Sequence, residues 1–271
     1  IFNHVMLTKM RPDIIPSLLF FNNWWQILRN VSYFDALGDP SPLTHFWSLA
    51  IEEQFYLVWP LLLIGAYSSG QNNKLIRRVT LALAAASALA MAVLYDPTQD
   101  PSRVYYGTDT RVFSLLLGAW LAFIPGRRLS SSGLLNLLSS DKTRTSDARA
   151  RTTSDQPYLH SPSHAKHAKK PALTNCLTDV IGAIGLIGLL ILMARTNGYT
   201  AFPYRGGTLL CSVFTLMLIV PCLDGRTWMA KLFSLKPLVW LGKRSYGIYL
   251  WHYPLLLLMN PVADITATPW W

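Results

Sequence analysis

Six stretches of the chain are dominated by apolar residues, at about 55–70, 76–95, 111–125, 177–194, 206–222 and 244–259. Each is roughly 15–20 residues long, near the ~20 that carry a helix across a ~30 Å hydrocarbon layer. The run Leu81-Ala-Leu-Ala-Ala-Ala-Ser-Ala-Leu-Ala90 has no polar face, which an amphipathic surface helix would need. The pattern predicts an all-α, polytopic transmembrane helical bundle with about six spanning helices, some reaching into their polar flanks. Ahead of them, Pro12-Asp13-Ile14-Ile15-Pro16 is expected to interrupt any long helix. Residues 17–28, with the adjacent Trp24 and Trp25, read as a short helix at the outer membrane–water interface.

The polar stretch at about 126–175 is different material. Residues 139–170 are rich in Ser, Thr, Asp, Arg, Lys and His, with almost no bulky apolar residues, so a disordered loop is expected there. His160, His164 and His167 lie in it without supporting carboxylate or Cys spacing, which favours a solvated loop over a metal site. Across the chain, charged residues make up only 14%, against roughly 25% in soluble domains. An ordinary water-soluble enzyme is thereby disfavoured.

The net charge of +10 is unevenly placed. Seventeen of the 24 Lys and Arg residues fall in one set of alternate loops, 71–78, 126–175 and 223–244; the other seven lie in 1–54, 96–111 and 195–205. The positive-inside bias puts the first set in the cytoplasm. The partner implied is a lipid bilayer, and nucleic acid is not needed to explain the charge. The three cysteines have neither metal nor redox spacing. With no signal peptide before the apolar segments, the chain reads as an internal piece of a larger membrane protein.

Three runs carry candidate chemistry. The first is His45-Phe-Trp47-Ser48-Leu-Ala-Ile-Glu52-Glu53-Gln54-Phe55-Tyr56, just before the first apolar segment. If helical from Ser48, it places Glu52 on the Ser48 face and Glu53 about 100° away. One carboxylate then serves a site while the other faces headgroups or water; the competing reading is acids at a helix N-terminus. The second run, Thr108-Asp109-Thr110-Arg111, offers either an Asp109–Arg111 pair or a guanidinium that holds a polar substrate group. The third, Ser245-Tyr246-Gly-Ile-Tyr249-Leu-Trp-His252, puts Ser245, Tyr249 and His252 on one helix face, with Tyr246 beside them. His252 then lies inside the bilayer, where ionisable groups mark functional interiors or serve as neutral polar posts. Gly182, Gly185 and Gly188 form a stripe suited to close helix packing.

These three runs, with Gly118 and the upstream Asn23-Trp24-Trp25, resemble the acyltransferase family 3 proteins in order and separation over roughly residues 12–256. Those are bacterial membrane O-acyltransferases of surface polysaccharides and peptidoglycan. The resemblance implies a core of about ten helices in the plasma membrane, and 1–271 as part of one such domain. It implies transfer of an acyl group, usually acetyl, from cytoplasmic acyl-CoA to an extracytoplasmic glycan hydroxyl, with no bound cofactor. On that reading Glu52 or Glu53 is the catalytic polar partner of the acceptor or of a His. Trp47, Ser48, Tyr56, Arg111, Ser245, Tyr246, Tyr249 and His252 contact substrate. The family's early helix with its catalytic His, and its Arg-rich motif, have no counterpart here, so this piece is not expected to turn over alone. A solute transporter or a scaffold without chemistry are the alternative readings.

Overall fold

The computed structural model describes residues 4–34, 41–124, 172–223 and 227–258, and every regular element among them is helical. The expected disordered loop and its three histidines lie outside the described residues. Helix α1 (His4–Leu18) runs through both Pro12 and Pro16, against expectation. The two prolines are four residues apart on one face, so the missing donors fall on one side and the rest of the ladder persists. The break comes at Phe20, whose φ of 55° is left-handed, and α2 (Asn22–Leu28) follows.

Helix α3 (Phe46–Ser68) begins nine residues ahead of the apolar segment that announced it. Glu52, Glu53 and Gln54 depress the local hydropathy, yet Leu, Ala, Glu and Gln are good helix formers. The two acids therefore sit inside the helix, and its first turn holds none. The reading of these carboxylates as N-terminal dipole partners is corrected. Helix α4 (Asn73–Leu94) starts at Asn72, whose side chain accepts from the Leu75 amide at 2.9 Å.

The chain then steps through α5 (Ser102–Tyr106), α6 (Thr108–Arg111) and α7 (Phe113–Ala122). Helix α8 (Ala172–Arg195) leads through a kinked turn, Pro203–Gly207, into α9 (Thr208–Cys222). Short helices α10 (Trp228–Phe233) and α11 (Lys236–Gly242) precede α12 (Ser245–Leu258).

Among the described residues, four helices are long and apolar enough to cross a membrane: Phe46–Ser68, Asn73–Leu94, Cys176–Arg195 and Pro203–Cys222. All six apolar runs give helices, and among the described residues α7 and α12 are shorter than these four. The 111–125 segment yields a helix of only 10 residues, because α5 and α6 break the chain at Gly107 and Val112. The last segment yields 14 described residues. Leu57, Leu61, Leu62 and Ile64 of α3 are exposed, as suits side chains facing hydrocarbon.

The glycine stripe packs as read. A Cβ on Gly185 would stand 2.7 Å from the Phe214 carbonyl, and one on Gly188 2.6 Å from the Phe214 ring. Without a hydrophobic drive between helices in lipid, such close approach is what holds α8 to α9. Ala84, Met91, Phe113, Leu117 and Tyr204 form the buried core joining α4, α7 and the turn before α9.

Candidate functional site

A closed ring of hydrogen bonds ties α2, α3 and α6 together. Asn23 Nδ2 donates to the Tyr106 carbonyl at 3.0 Å and to Thr108 Oγ1 at 2.9 Å. Thr108 Oγ1 donates to Gln54 Oε1 at 2.7 Å, and Gln54 Nε2 donates to Asn23 Oδ1 at 3.0 Å and the Phe20 carbonyl at 2.7 Å. Every amide proton of the two side chains is thereby used. Residues 85 positions apart in the chain are held within one bond, so the tryptophan element, the first run and the second run form one structure. Asn22 extends it, donating to Ser17 Oγ at 2.8 Å and the Leu43 carbonyl at 2.9 Å.

Asp109 does not pair with Arg111. It takes a two-pronged bridge from Arg103, at 3.1 and 2.9 Å. Arg111 donates Nε–H to the Tyr105 carbonyl at 3.1 Å, and its guanidinium lies 4.2 Å from the Tyr105 ring centre and 5.5 Å from that of Trp47. Stacking leaves the fork's other donors without a hydrogen bond among the described residues. Trp47, only 8% exposed, also meets Tyr33, Tyr105 and Tyr106. The Tyr106 side chain is fully enclosed, and its hydroxyl has no partner among the described residues. Burial pushes the Tyr33 and Tyr106 hydroxyls well above their ordinary range, so both are un-ionised proton donors.

The second polar centre joins the start of α3 to the first turns of α12. Tyr249 Oη donates to the His45 carbonyl at 2.6 Å. A phenol has one proton, so in the contact between Ser48 Oγ and Tyr249 Oη the serine donates. His45 Nδ1 lies 3.0 Å from the Pro42 carbonyl, and His252 Nδ1 lies 2.6 Å from the Tyr249 carbonyl. A carbonyl accepts only, so in each of these contacts the ring donates its Nδ1–H. The ring centres are 5.5 Å apart, and Tyr253 closes the group 5.3 Å from His45. His45 is 7% exposed, and its Nε2 is buried with no hydrogen bond among the described residues, although the Leu250 backbone as well as the Pro42 carbonyl acts on the ring. Burial holds its pKa below the ordinary value, and the nearby His252 adds to that.

Of the residues singled out in the sequence, the structure gathers Ser48, Tyr249 and His252, with Glu52 one turn further along the Ser48 face. Trp47 and Arg111 stack beside this group. Glu52 is exposed and Glu53 half-buried, and neither makes an ion pair among the described residues. Three residues are not gathered. Ser245 Oγ turns back to the Gly242 carbonyl at 2.9 Å, while Tyr56 and Tyr246 are each 57% exposed. Sequence reasoning passed over His45 and the roles of Asn23, Gln54 and Tyr106. Gln54 and Asn23 were visible as polar residues in otherwise apolar runs; His45 acquires its meaning only from α12, two hundred positions on.

A family profile described as an acyltransferase domain matches residues 12–271. The chain is 39% identical over 271 residues to "Peptidoglycan O-acetyltransferase OatA" of Listeria monocytogenes, covering all of this chain and 38% of that protein. It is 41% identical over 273 residues to "Putative peptidoglycan O-acetyltransferase YrhL" of Bacillus subtilis, covering all of this chain and 37% of that protein. The chain thus spans well under half the length of these curated relatives. No solved structure matches it.

Proposed function

The chain belongs to the acyltransferase 3 family, and from that premise we propose that it forms part of the membrane core of a bacterial peptidoglycan O-acetyltransferase. The donor in this reading is a cytoplasmic acyl-CoA thioester, most simply acetyl-CoA, and the acceptor is a glycan hydroxyl on the outer side. A solute transporter has no observation in its favour here.

The observation that carries the site assignment is the enclosed Nε2 of His45, which makes no hydrogen bond among the described residues. A buried acceptor without a partner costs about 1–3 kcal/mol, which a functional role explains. Tyr106, packed against Trp47 two residues along the chain from His45, carries a buried hydroxyl likewise without a partner among the described residues. A substrate with a hydroxyl to give and a carbonyl to be polarised answers both deficits.

In the reaction, the acceptor oxygen bonds to the thioester carbon as its proton passes to a base. The carbon–sulfur bond then breaks, and the departing thiolate takes up a proton. Within this chain, His45 and His252 supply the lone pairs that receive a hydroxyl proton, each ring oriented by its Nδ1–H bond. Glu52 supports the resulting imidazolium from the Ser48 face, and Glu53 lies on the adjoining face. Tyr249 and Ser48 fix the distance between the two helices, and Arg111 on its aromatic bed orients the polar part of a substrate.

The test is base-labile acetate in purified peptidoglycan, from a strain whose own enzyme is replaced by full-length variants. General acid–base groups contribute about 10²–10⁴-fold. His45→Phe is therefore expected to lower wall acetate at least tenfold, with normal amounts of protein in the membrane, and Glu52→Gln to do the same. Undiminished acetate in both Glu52→Gln and Glu53→Gln removes the carboxylates from the mechanism. Undiminished acetate in His45→Phe removes the site.

A further inference from the structure

Between α4, α7 and the turn before α9 lies a groove of about 410 Å³, whose lining shares no residue with the two polar centres. Its floor is the small-residue face of α4, where Ala84, Ala88 and Ala92 follow one another at helical spacing. Leu89 stands on its rim, 63% exposed. The groove reaches from Ala92 at the outer end of α4 down to Leu81, eleven residues or about 16 Å. That is half of a ~30 Å hydrocarbon layer, the depth of one leaflet.

The mouth has a different chemistry. The exposed Arg205 lies 5.9 Å from the Tyr95 ring centre, and Tyr95 stacks on Tyr204 at 4.5 Å. Tyrosines of this kind sit at headgroup level, and an arginine beside them is at the depth of lipid phosphates. Gly206, at φ +129°, lets the backbone turn sharply at that point.

We propose that this groove is a binding site for an outer-leaflet glycerophospholipid, with one acyl chain along the alanine floor and its phosphate on Arg205. The dimensions argue against other occupants. A spanning helix from elsewhere in the protein needs a seam along the full thickness, at 8–10 Å between axes, and this groove stops at mid-depth. Water needs two to four polar partners, and below the mouth the walls are carbon. A polyprenyl chain outruns a single leaflet. The guanidinium supplies what a phosphate needs, two parallel N–H donors and a charge.

The experiment uses full-length protein extracted in mild detergent, with phosphatidylglycerol as the added lipid and native mass spectrometry as the readout. The wild type is expected to retain one phospholipid per chain. Arg205→Gln should weaken retention about tenfold, the equivalent of one charge-assisted hydrogen bond. Ala88→Phe, which fills the floor, should abolish it. A benzophenone side chain at Leu89 provides a readout that does not depend on the Ala88→Phe protein folding: a phospholipid adduct supports the site. Equal retention by wild type and Arg205→Gln, an adduct to another segment of the protein, or an adduct to a polyprenyl lipid each overturns it. Neither Arg205 nor Ala88 belongs to the acyl-transfer site, so the result is independent of that reading.

Discussion

Replacing Gln54 by Met keeps the length and volume of the side chain and removes all of its hydrogen bonding. Three bonds disappear: to the Phe20 carbonyl, to Asn23 Oδ1 and from Thr108 Oγ1. At about 1 kcal/mol net for each, and less for the solvent-facing bond to Phe20, the loss is about 2–3 kcal/mol. Thr108→Val removes two bonds, the one it gives Gln54 and the one it receives from Asn23, for about 2 kcal/mol. The Gln54–Thr108 bond is common to both losses. The double variant should therefore be less destabilised than the two single effects combined, by about 1 kcal/mol. Denaturant unfolding of the full-length protein in mixed micelles, on all four proteins, measures this coupling. Strict additivity, or a Gln54→Met protein as stable as the wild type, would refute the ring as the element that joins α2, α3 and α6.

Tyr249→Phe strands the His45 carbonyl and the Ser48 hydroxyl, so a stability loss of about 2 kcal/mol is expected together with a fall in wall acetate; a variant with normal acetate shows that the bridge is dispensable. Gly185→Leu forces side-chain atoms into the Phe214 backbone and should cost at least about 1–3 kcal/mol, whereas Gly65→Ala, which meets nothing within 4 Å, should be neutral or slightly stabilising in the same thermal melt. Burial depresses the pKa of His45 in the folded protein. The unfolded chain therefore takes up its proton first as pH falls through about 6.5. Stability is then full above that pH and lost progressively below it, down to the folded-state pKa. Melting temperatures of wild type and His45→Gln between pH 8 and pH 5 should converge towards the acid end, and parallel curves would contradict the buried neutral imidazole.

The spanning helices were legible because lipid demands long apolar runs, and α4 and α8 meet that demand without interruption. Their packing was legible too, since the spacing of Gly182, Gly185 and Gly188 states which face approaches a neighbour. What hydropathy could not reveal was helix continuity through polar or proline residues. Glu52 to Gln54 lowered the signal at the start of α3, and Pro12 with Pro16 mimicked a break that the chain takes at Phe20. Partner choice was less legible still. Asp109 sits six residues from Arg103 and two from Arg111; two residues apart on a helix point in different directions, while the Gly107 bend brings Arg103 round. The Ser-Tyr helix announced three inward residues, and the serine at its first turn instead bonds the backbone of the preceding helix, a local choice typical of hydroxyls.

The meeting of α3 and α12 has a consequence for the order of assembly. Ser48 and Tyr249 touch across 201 positions of chain, and Tyr249 reaches the His45 carbonyl across 204. Contacts of such long sequence separation close a large loop before they return any energy. The polar centre therefore comes together only when α12 docks, and until then His45 and Ser48 stand open at the head of α3.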